Sequence, residues 1–189
     1  MRVGVLALQG AFREHQKALA ACGVETEQIR KPEQLAKISA LVIPGGESTT
    51  MGKLLMEFNL LEPIKELGKQ GMPVFGTCAG MILLAKGIAG STQPRLGLMD
   101  ITVERNAFGR QVDSFEAELD VPVLGEEPFR AVFIRAPYIL SVEKSVEALT
   151  SFGGKIIFAR QGRFLAAAFH PELTGDLRVH RYFLENCIS

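Results

Sequence analysis

Through the first hundred residues, short apolar runs alternate with helical stripes. Arg2 to Leu8 is a β-rich apolar run closed by Gln9-Gly10. Phe12 to Cys22 then reads as a helix, with Gly23 placed as its C-terminal stop. Glu25 to Arg30 is a second, weaker strand, and Ala40 to Ile43 (ALVI) a third, short and continuous enough to be buried. After PGGEST, the apolar residues Met51, Leu54, Leu55 and Phe58 follow the i, i+3, i+4, i+7 spacing of a core-facing helix. A further helix runs from about Glu62 to Gln70 and stops at Gly71. Pro73 to Gly76 (PVFG) is a fourth strand, and a helix is expected right after Cys78. Alternation of this kind implies a parallel sheet covered on both faces.

From Ile101 onward the pattern changes. ITVER, VDSFEAELDV, FRAVFIRA, VEALTSF, KIIFAR and RFLAAAF are strand-like and separated by short turns, with Gln161-Gly162 as a tight hairpin turn. A helix from about Asp176 to Asn186 closes the chain. The reading is α/β: a mostly parallel central sheet flanked by helices, with antiparallel additions in the second half. No internal repeat or linker divides it, so residues 1–189 are expected to form one domain.

Composition narrows the function classes. A chain of 189 residues is long enough to bury roughly 70 % of its unfolded surface. Lysine plus arginine and aspartate plus glutamate both number 21, so the balance is neutral and argues against a nucleic-acid binder. Cys22, Cys78 and Cys187 are odd in number, far apart and free of a C-x-x-C spacing. That speaks against a disulfide framework or a metal site and for a reducing, cytoplasmic setting. MRVGVLALQG is unlike a signal peptide. No apolar run approaches the roughly 18 residues that a membrane-spanning helix needs.

The stretch Gly76-Thr77-Cys78-Ala79-Gly80 has the G-x-nucleophile-x-G form of a strand-to-helix elbow. Small neighbours let the backbone turn sharply, and a thiol at a helix N-terminus is favoured as thiolate. The Ala79 amide, in the first helical turn, is suited to one half of an oxyanion hole. A thiol filling the core is the alternative. A thiolate catalyst needs a base and a group to orient it. His15 and His180 lie in helical segments with charged neighbours and read as solvated. His170 differs: it ends RFLAAAF and precedes Pro171, which forces it into an extended conformation. Positions 170 and 172 then point to one side, so Glu172 could hold one imidazole nitrogen while the other faces Cys78. A surface H-P-E turn capping a strand is the competing reading.

Pro44-Gly45-Gly46-Glu47-Ser48-Thr49-Thr50 fails as a phosphate loop, because five residues separate Gly46 from Gly52 and Leu54 stands where serine or threonine should be. It reads instead as a backbone loop near the elbow whose amides could complete the oxyanion hole. A plain turn into a helix capped by Ser48 or Thr49 remains open.

GTCAG, PGGES ahead of it and FHPE near the end resemble the class I, triad-type glutamine amidotransferases. LQGA at 8–11, VERNAFGRQVDSFE at 103–116 and FIRAP at 133–137 are similar, within that family, to glutaminase subunits of pyridoxal 5′-phosphate synthases. The resemblance covers essentially the whole chain and implies a flavodoxin-like fold with no cofactor and no metal. It implies that Cys78 attacks the side-chain amide of L-glutamine, releasing ammonia and forming a γ-glutamyl thioester. His170 would be the base and acid, oriented by Glu172, with the amides of Gly46 and Ala79 as oxyanion hole. Gly46, Glu47, Ser48, Arg105, Ile134 and Arg135 would bind the substrate, with Asn106, Gln111 and Gln9 as weaker candidates. The implied partner is a (β/α)8-barrel synthase subunit that uses the ammonia for vitamin B6, in a complex of up to twelve plus twelve chains. Gln9 to Phe12 is where its docking contact is expected. The same fold and triad also serve other ammonia-using synthases, such as that of imidazole glycerol phosphate. A cysteine hydrolase, a redox sensor and a catalytically silent regulatory subunit are the alternatives.

Overall fold

A computed structural model describes residues 1–105 and 114–188. The first half gives β1 (Arg2–Leu6), α1 (Phe12–Ala21), β2 (Glu25–Ile29), β3 (Ala40–Ile43), α2 (Ser48–Glu57), α3 (Leu61–Lys69), β4 (Val74–Thr77), α4 (Ala79–Leu84) and β5 (Ala85–Ile88). The second half gives β6 (Met99–Glu104), β7 (Ser114–Leu119), β8 (Phe129–Ile134), β9 (Tyr138–Val142), β10 (Glu147–Phe152), β11 (Lys155–Gln161), β12 (Phe164–Ala167) and α5 (Arg178–Asn186). Ten strands form one sheet in the order β2-β1-β3-β4-β12-β11-β9-β6-β5, with β10 on β11, while β7 and β8 make a separate hairpin. Neighbours from β2 through β12 run parallel. Beyond them β11, β9 and β6 pair antiparallel, and β5 joins β6 parallel. The mostly parallel sheet with antiparallel additions is thus the architecture that the alternation of the first half and the short runs of the second imply.

The parallel strands are buried on both faces, which is why ALVI carries no polar alternation: all four residues of β3 are buried. Phe75 of β4 packs on Phe183 of α5 at 5.4 Å, and Phe158 of β11 on Phe169 at 5.6 Å. The β7–β8 hairpin closes on this core through Phe133, which stacks on Phe115 at 4.6 Å and meets Phe169 edge-on at 5.9 Å. Burying aromatic rings of this size is the dominant favourable contribution to such a fold.

Several boundaries differ from the sequence reading for identifiable reasons. β5 follows a helix of only six residues with no breaker between them. β9 shows no clean alternation, with Leu140 half-exposed. Neither strand is legible as a periodic run. In the β11–β12 hairpin Gln161 still pairs with Phe164, so the two turn residues are Gly162 and Arg163, with Gly162 at φ 54°. α5 starts two residues later than expected because the Asp176 carboxylate accepts from the Arg178 amide at 3.0 Å. Phe58, at the end of the α2 stripe, is the helix's C-cap and is exposed. Residues 112–113 of VDSFEAELDV lie outside the described residues. Among the described residues no helix is long and apolar enough to cross a membrane, and no group of three His, Cys, Asp or Glu side chains could hold a metal ion.

The first turn of α4 lies directly against β3. A Cβ added at Gly80 would stand 2.1 Å from the Ile43 carbonyl oxygen, a backbone atom that cannot step aside. Gly80→Ala is therefore expected to cost about 1–3 kcal/mol, as overpacking does. The urea midpoint measures it, and an unchanged midpoint would mean that α4 does not sit this close.

Candidate active site

β4 and β12 are adjacent, parallel and in register, with Val74 opposite Phe164 and Thr77 opposite Ala167. Both therefore release the chain at the same carboxyl edge, where open α/β sheets carry their functional groups. One residue past β4, Cys78 takes φ 50° and ψ −104°. A non-glycine residue held there costs roughly 1–3 kcal/mol and persists only where its surroundings enforce it. The enforcement is local: the Cys78 amide donates to the Ala167 carbonyl at 2.8 Å. The strand that pins the elbow is the one that leads to His170, whose own amide donates to Val132 of β8 at 2.8 Å. The Cys78 thiol donates to the Ile134 carbonyl at 3.7 Å.

Gly45, buried at the end of β3, forms the floor on which the two side chains meet. A Cβ there would lie 2.3 Å from His170 Cε1 and 3.3 Å from Cys78 Cβ, so only glycine fits. The imidazole of His170 meets the Cys78 side chain over Gly45, and its Nδ1 lies 2.7 Å from Glu172 Oε1. Burial works against a charged ring, but Cys78 and Glu172 outweigh it and hold the His170 pKa up at about 10. For Glu172 burial pushes upward, and His15 and His170 together pull the carboxyl below its ordinary value. The contact arises differently from the expected extended pair. His170 stops short of extended, at φ −109° and ψ 85°, and Pro171–Leu173 form a 3-10 turn that folds Glu172 back under the ring.

A cleft of about 320 Å³ opens above this group, a volume that suits a metabolite rather than a polymer. Gly46, Glu47, Ser48, Arg105, Ile134, Arg135 and His170 all line it. Cys78 and Ala79 are buried beneath, with Ala79 opening α4. Arg135 is exposed, at φ 42°. Arg105 donates to Gln93 Oε1 at 2.9 Å and to Thr49 Oγ1 at 3.2 Å, which fixes its guanidinium at the rim. Neither Gln93 nor Thr49 belongs to a pattern that marks such a role in sequence. The helix cap is Glu47 rather than Ser48 or Thr49: its carboxylate accepts from the Thr49 and Thr50 amides at 3.1 and 2.7 Å. Burial opposes its charge, but the Thr50 hydroxyl and these amides together outweigh it and bring its pKa down to about 2. The Glu47 side chain thus shapes the loop, while its amide donates to Gln9 Oε1 at 3.0 Å and ties the β1–α1 loop to the β3–α2 loop. Asn106 and Gln111 lie outside the described residues.

His15 and His180 are the clear corrections to the sequence reading. Both are fully buried. His15 Nδ1 lies 3.0 Å from His180 Nε2, and its Nε2 lies 3.1 Å from Thr77 Oγ1 and 3.3 Å from Glu172 Oε2. Charged neighbours along the chain obscured a periodic signal: Phe12, His15 and Leu19 share one face of α1, and His180 and Phe183 one face of α5. Burial lowers the pKa of both rings, that of His180 to about 3 with His15 adding to the effect.

The model of the SNO glutamine amidotransferase family matches residues 5–189. The chain is 79 % identical over 188 residues to the pyridoxal 5′-phosphate synthase subunit PdxT of Pelotomaculum thermopropionicum, covering 100 % of this chain and 96 % of that one. It is 66 % identical to the subunit of the same name from Moorella thermoacetica, with 98 % of each covered. A solved glutamine amidotransferase superimposes with a TM-score of 0.92 at 52 % identity, covering 98 % of both chains.

The neutral, buried His180 makes a prediction for stability. Its folded pKa of about 3 lies below the ordinary 6.5, so the unfolded chain takes up the proton first. Above about pH 6.5 the residue contributes no pH dependence; as pH falls it weakens the fold, and the loss levels off below about pH 3. The slope is about one proton, or roughly 1.4 kcal/mol per pH unit. His180→Asn should flatten the urea-unfolding free energy by that amount between pH 6 and 4. Equal slopes in the two proteins would show that His180 is not held neutral.

Proposed function

Because the chain belongs to the SNO glutamine amidotransferase family, we propose that it hydrolyses L-glutamine to glutamate and ammonia and hands the ammonia to a pyridoxal 5′-phosphate synthase. The observation that carries this reading is the convergence of Cys78 and His170 on Gly45, with Glu172 2.7 Å behind the ring. Cys78 gives its thiol proton to His170 and attacks the carboxamide carbon, and the amides of Gly46 and Ala79 receive the developing oxyanion. His170, whose charged form its two neighbours favour, passes that proton to the departing nitrogen, which leaves as ammonia. The carbon then bears a γ-glutamyl thioester. Water adds to it as His170 takes the water's proton; collapse expels the Cys78 sulfur and frees glutamate. Glu172 stays ionised throughout and keeps Nδ1 protonated, so the reacting nitrogen is always Nε2.

Glutamine is a zwitterion, and its α-carboxylate calls for a cation at the cleft mouth. Arg105, fixed by Gln93 and Thr49, supplies one, with Arg135 close along the same wall. Backbone groups of Gly46 through Ser48 and of Ile134 fix the rest of the chain of the substrate. No cofactor takes part. The partner is the (β/α)8-barrel synthase subunit, in a cytoplasmic complex of up to twelve of each chain. The names of relatives that cover this chain end to end support that partner over other ammonia-using synthases. The one sheet that runs from β2 to β5 supports a single domain.

Ammonia release from glutamine, with and without the synthase subunit of a close relative, tests the reading. Release should rise when the synthase is added, and Cys78→Ala should lower it by about three orders of magnitude or more without loss of assembly. Equal release with and without the synthase would remove the assigned partner. No release in either case would overturn the glutaminase.

A further inference from the structure

Resting on that catalytic reading, we propose that His15, itself held by His180, is a positioning residue for Glu172: it fixes the second carboxylate oxygen, so that the first stays aimed at His170. The argument starts from Glu172. Its side chain is fully buried, and Oε1 is engaged by His170 Nδ1 at 2.7 Å. Oε2 is buried too and has no well-aligned hydrogen bond, which is costly for an ionised oxygen. The facing nitrogen is His15 Nε2 at 3.3 Å.

Proton assignment follows by elimination along the chain of rings. An ionised carboxylate only accepts, so Nε2 of His15 must carry the hydrogen; the opposite tautomer would set a lone pair against the charged oxygen. Thr77 Oγ1, 3.1 Å from the same nitrogen, shares that donor. A neutral imidazole has one hydrogen, so His15 Nδ1 is an acceptor, and the nitrogen 3.0 Å away, His180 Nε2, must donate to it. His180 Nδ1 is then bare, and it is a buried nitrogen with no hydrogen-bond partner. A bare lone pair is tolerated there more cheaply than an orphaned N–H, so the assignment is consistent to its end. Burial, which lowers the pKa of both rings, keeps each of them neutral and therefore keeps the order of donors fixed.

The result is a directed row, His180 to His15 to Glu172, meeting His170 and Cys78 from behind. Its three members come from α5, α1 and the turn after β12. None of His15, His180 or Thr77 lines the cleft, so substrate never touches them. The row reaches the chemistry only through the carboxylate that orients His170, so a readout of kcat separates positioning from mere burial of a polar cluster.

The test uses the chain in complex with the synthase subunit. His15→Leu removes the donor; His15→Gln keeps an amide N–H near the position of Nε2. The Leu variant should lose kcat for glutamine hydrolysis by roughly 10-fold to 100-fold, the range that outer-shell partners of metal-bound imidazoles show. KM should stay within about twofold, and the Gln variant should recover most of kcat, as expected where only a transition-state contribution is lost. Unchanged kcat in the Leu variant, or equal losses in Leu and Gln, would overturn the proposal. Imidazole nitrogen NMR of the wild-type protein decides the matter where His15→Leu does not fold. A hydrogen on His15 Nε2 supports the proposal, and one on Nδ1 overturns it. If the wild-type complex released no ammonia, the glutaminase reading would fail, while the spectra would still report whether His15 donates to Glu172.

Discussion

Two parallel strands that stop side by side govern this molecule. β4 and β12 are in register to their last residues, and the hydrogen bond from the Cys78 amide to the Ala167 carbonyl carries that register one step past the sheet. A slip of one residue would turn every side chain of β12 to the other face and take His170 away from the thiol. The strain at Cys78 is tolerable only because the neighbouring strand holds the amide. The nearness of Cys78 and His170 is therefore a property of the sheet before it is a property of the site.

Around that pair the polar groups are buried to an unusual degree, and each is answered by another. A carboxylate, a raised imidazole and two neutral imidazoles sit in a core otherwise made of Phe75, Phe183 and aliphatic side chains. Water would scatter their orientations; a dry interior makes each hydrogen bond stronger and each error dearer. The opening side of the site is built on a different plan. There the loops rest on backbone contacts, the Glu47 cap and the Gln9 link, and the guanidinium of Arg105 stands on a buried Gln93 and a half-buried Thr49.

Much of this was legible from residues alone. Helical stripes, the ALVI run and the G-x-C-x-G turn signal themselves through periodicity and sterics, so the parallel half of the sheet and the elbow at Cys78 could be read. H-P-E was legible as a unit, although the geometry that joins its ends is a 3-10 turn rather than an extended pair. What could not be read depends on tertiary partners. β9 is a strand because β6 and β11 flank it, not because YILSV alternates. Gln93 matters because Arg105 reaches it from twelve residues away in sequence. His15 and His180 lie 165 positions apart, and their charged neighbours gave them a surface look that only packing reverses.

The position of β12 bears on how the chain comes to life on the ribosome. Phe164 pairs with Val74, so the strand that completes the middle of the sheet emerges some ninety residues after the one it must join. Until then β4 has an open edge, Cys78 has no carbonyl to hold its amide, and neither His170, Glu172 nor His180 has been made. Long-range pairing of this kind is slow, and it comes late in translation. On the proposed mechanism, a half-made chain therefore has an incomplete nucleophile and no base. On that mechanism glutamine is spent only once a whole subunit exists, so the topology itself acts as a temporal safeguard on the chemistry.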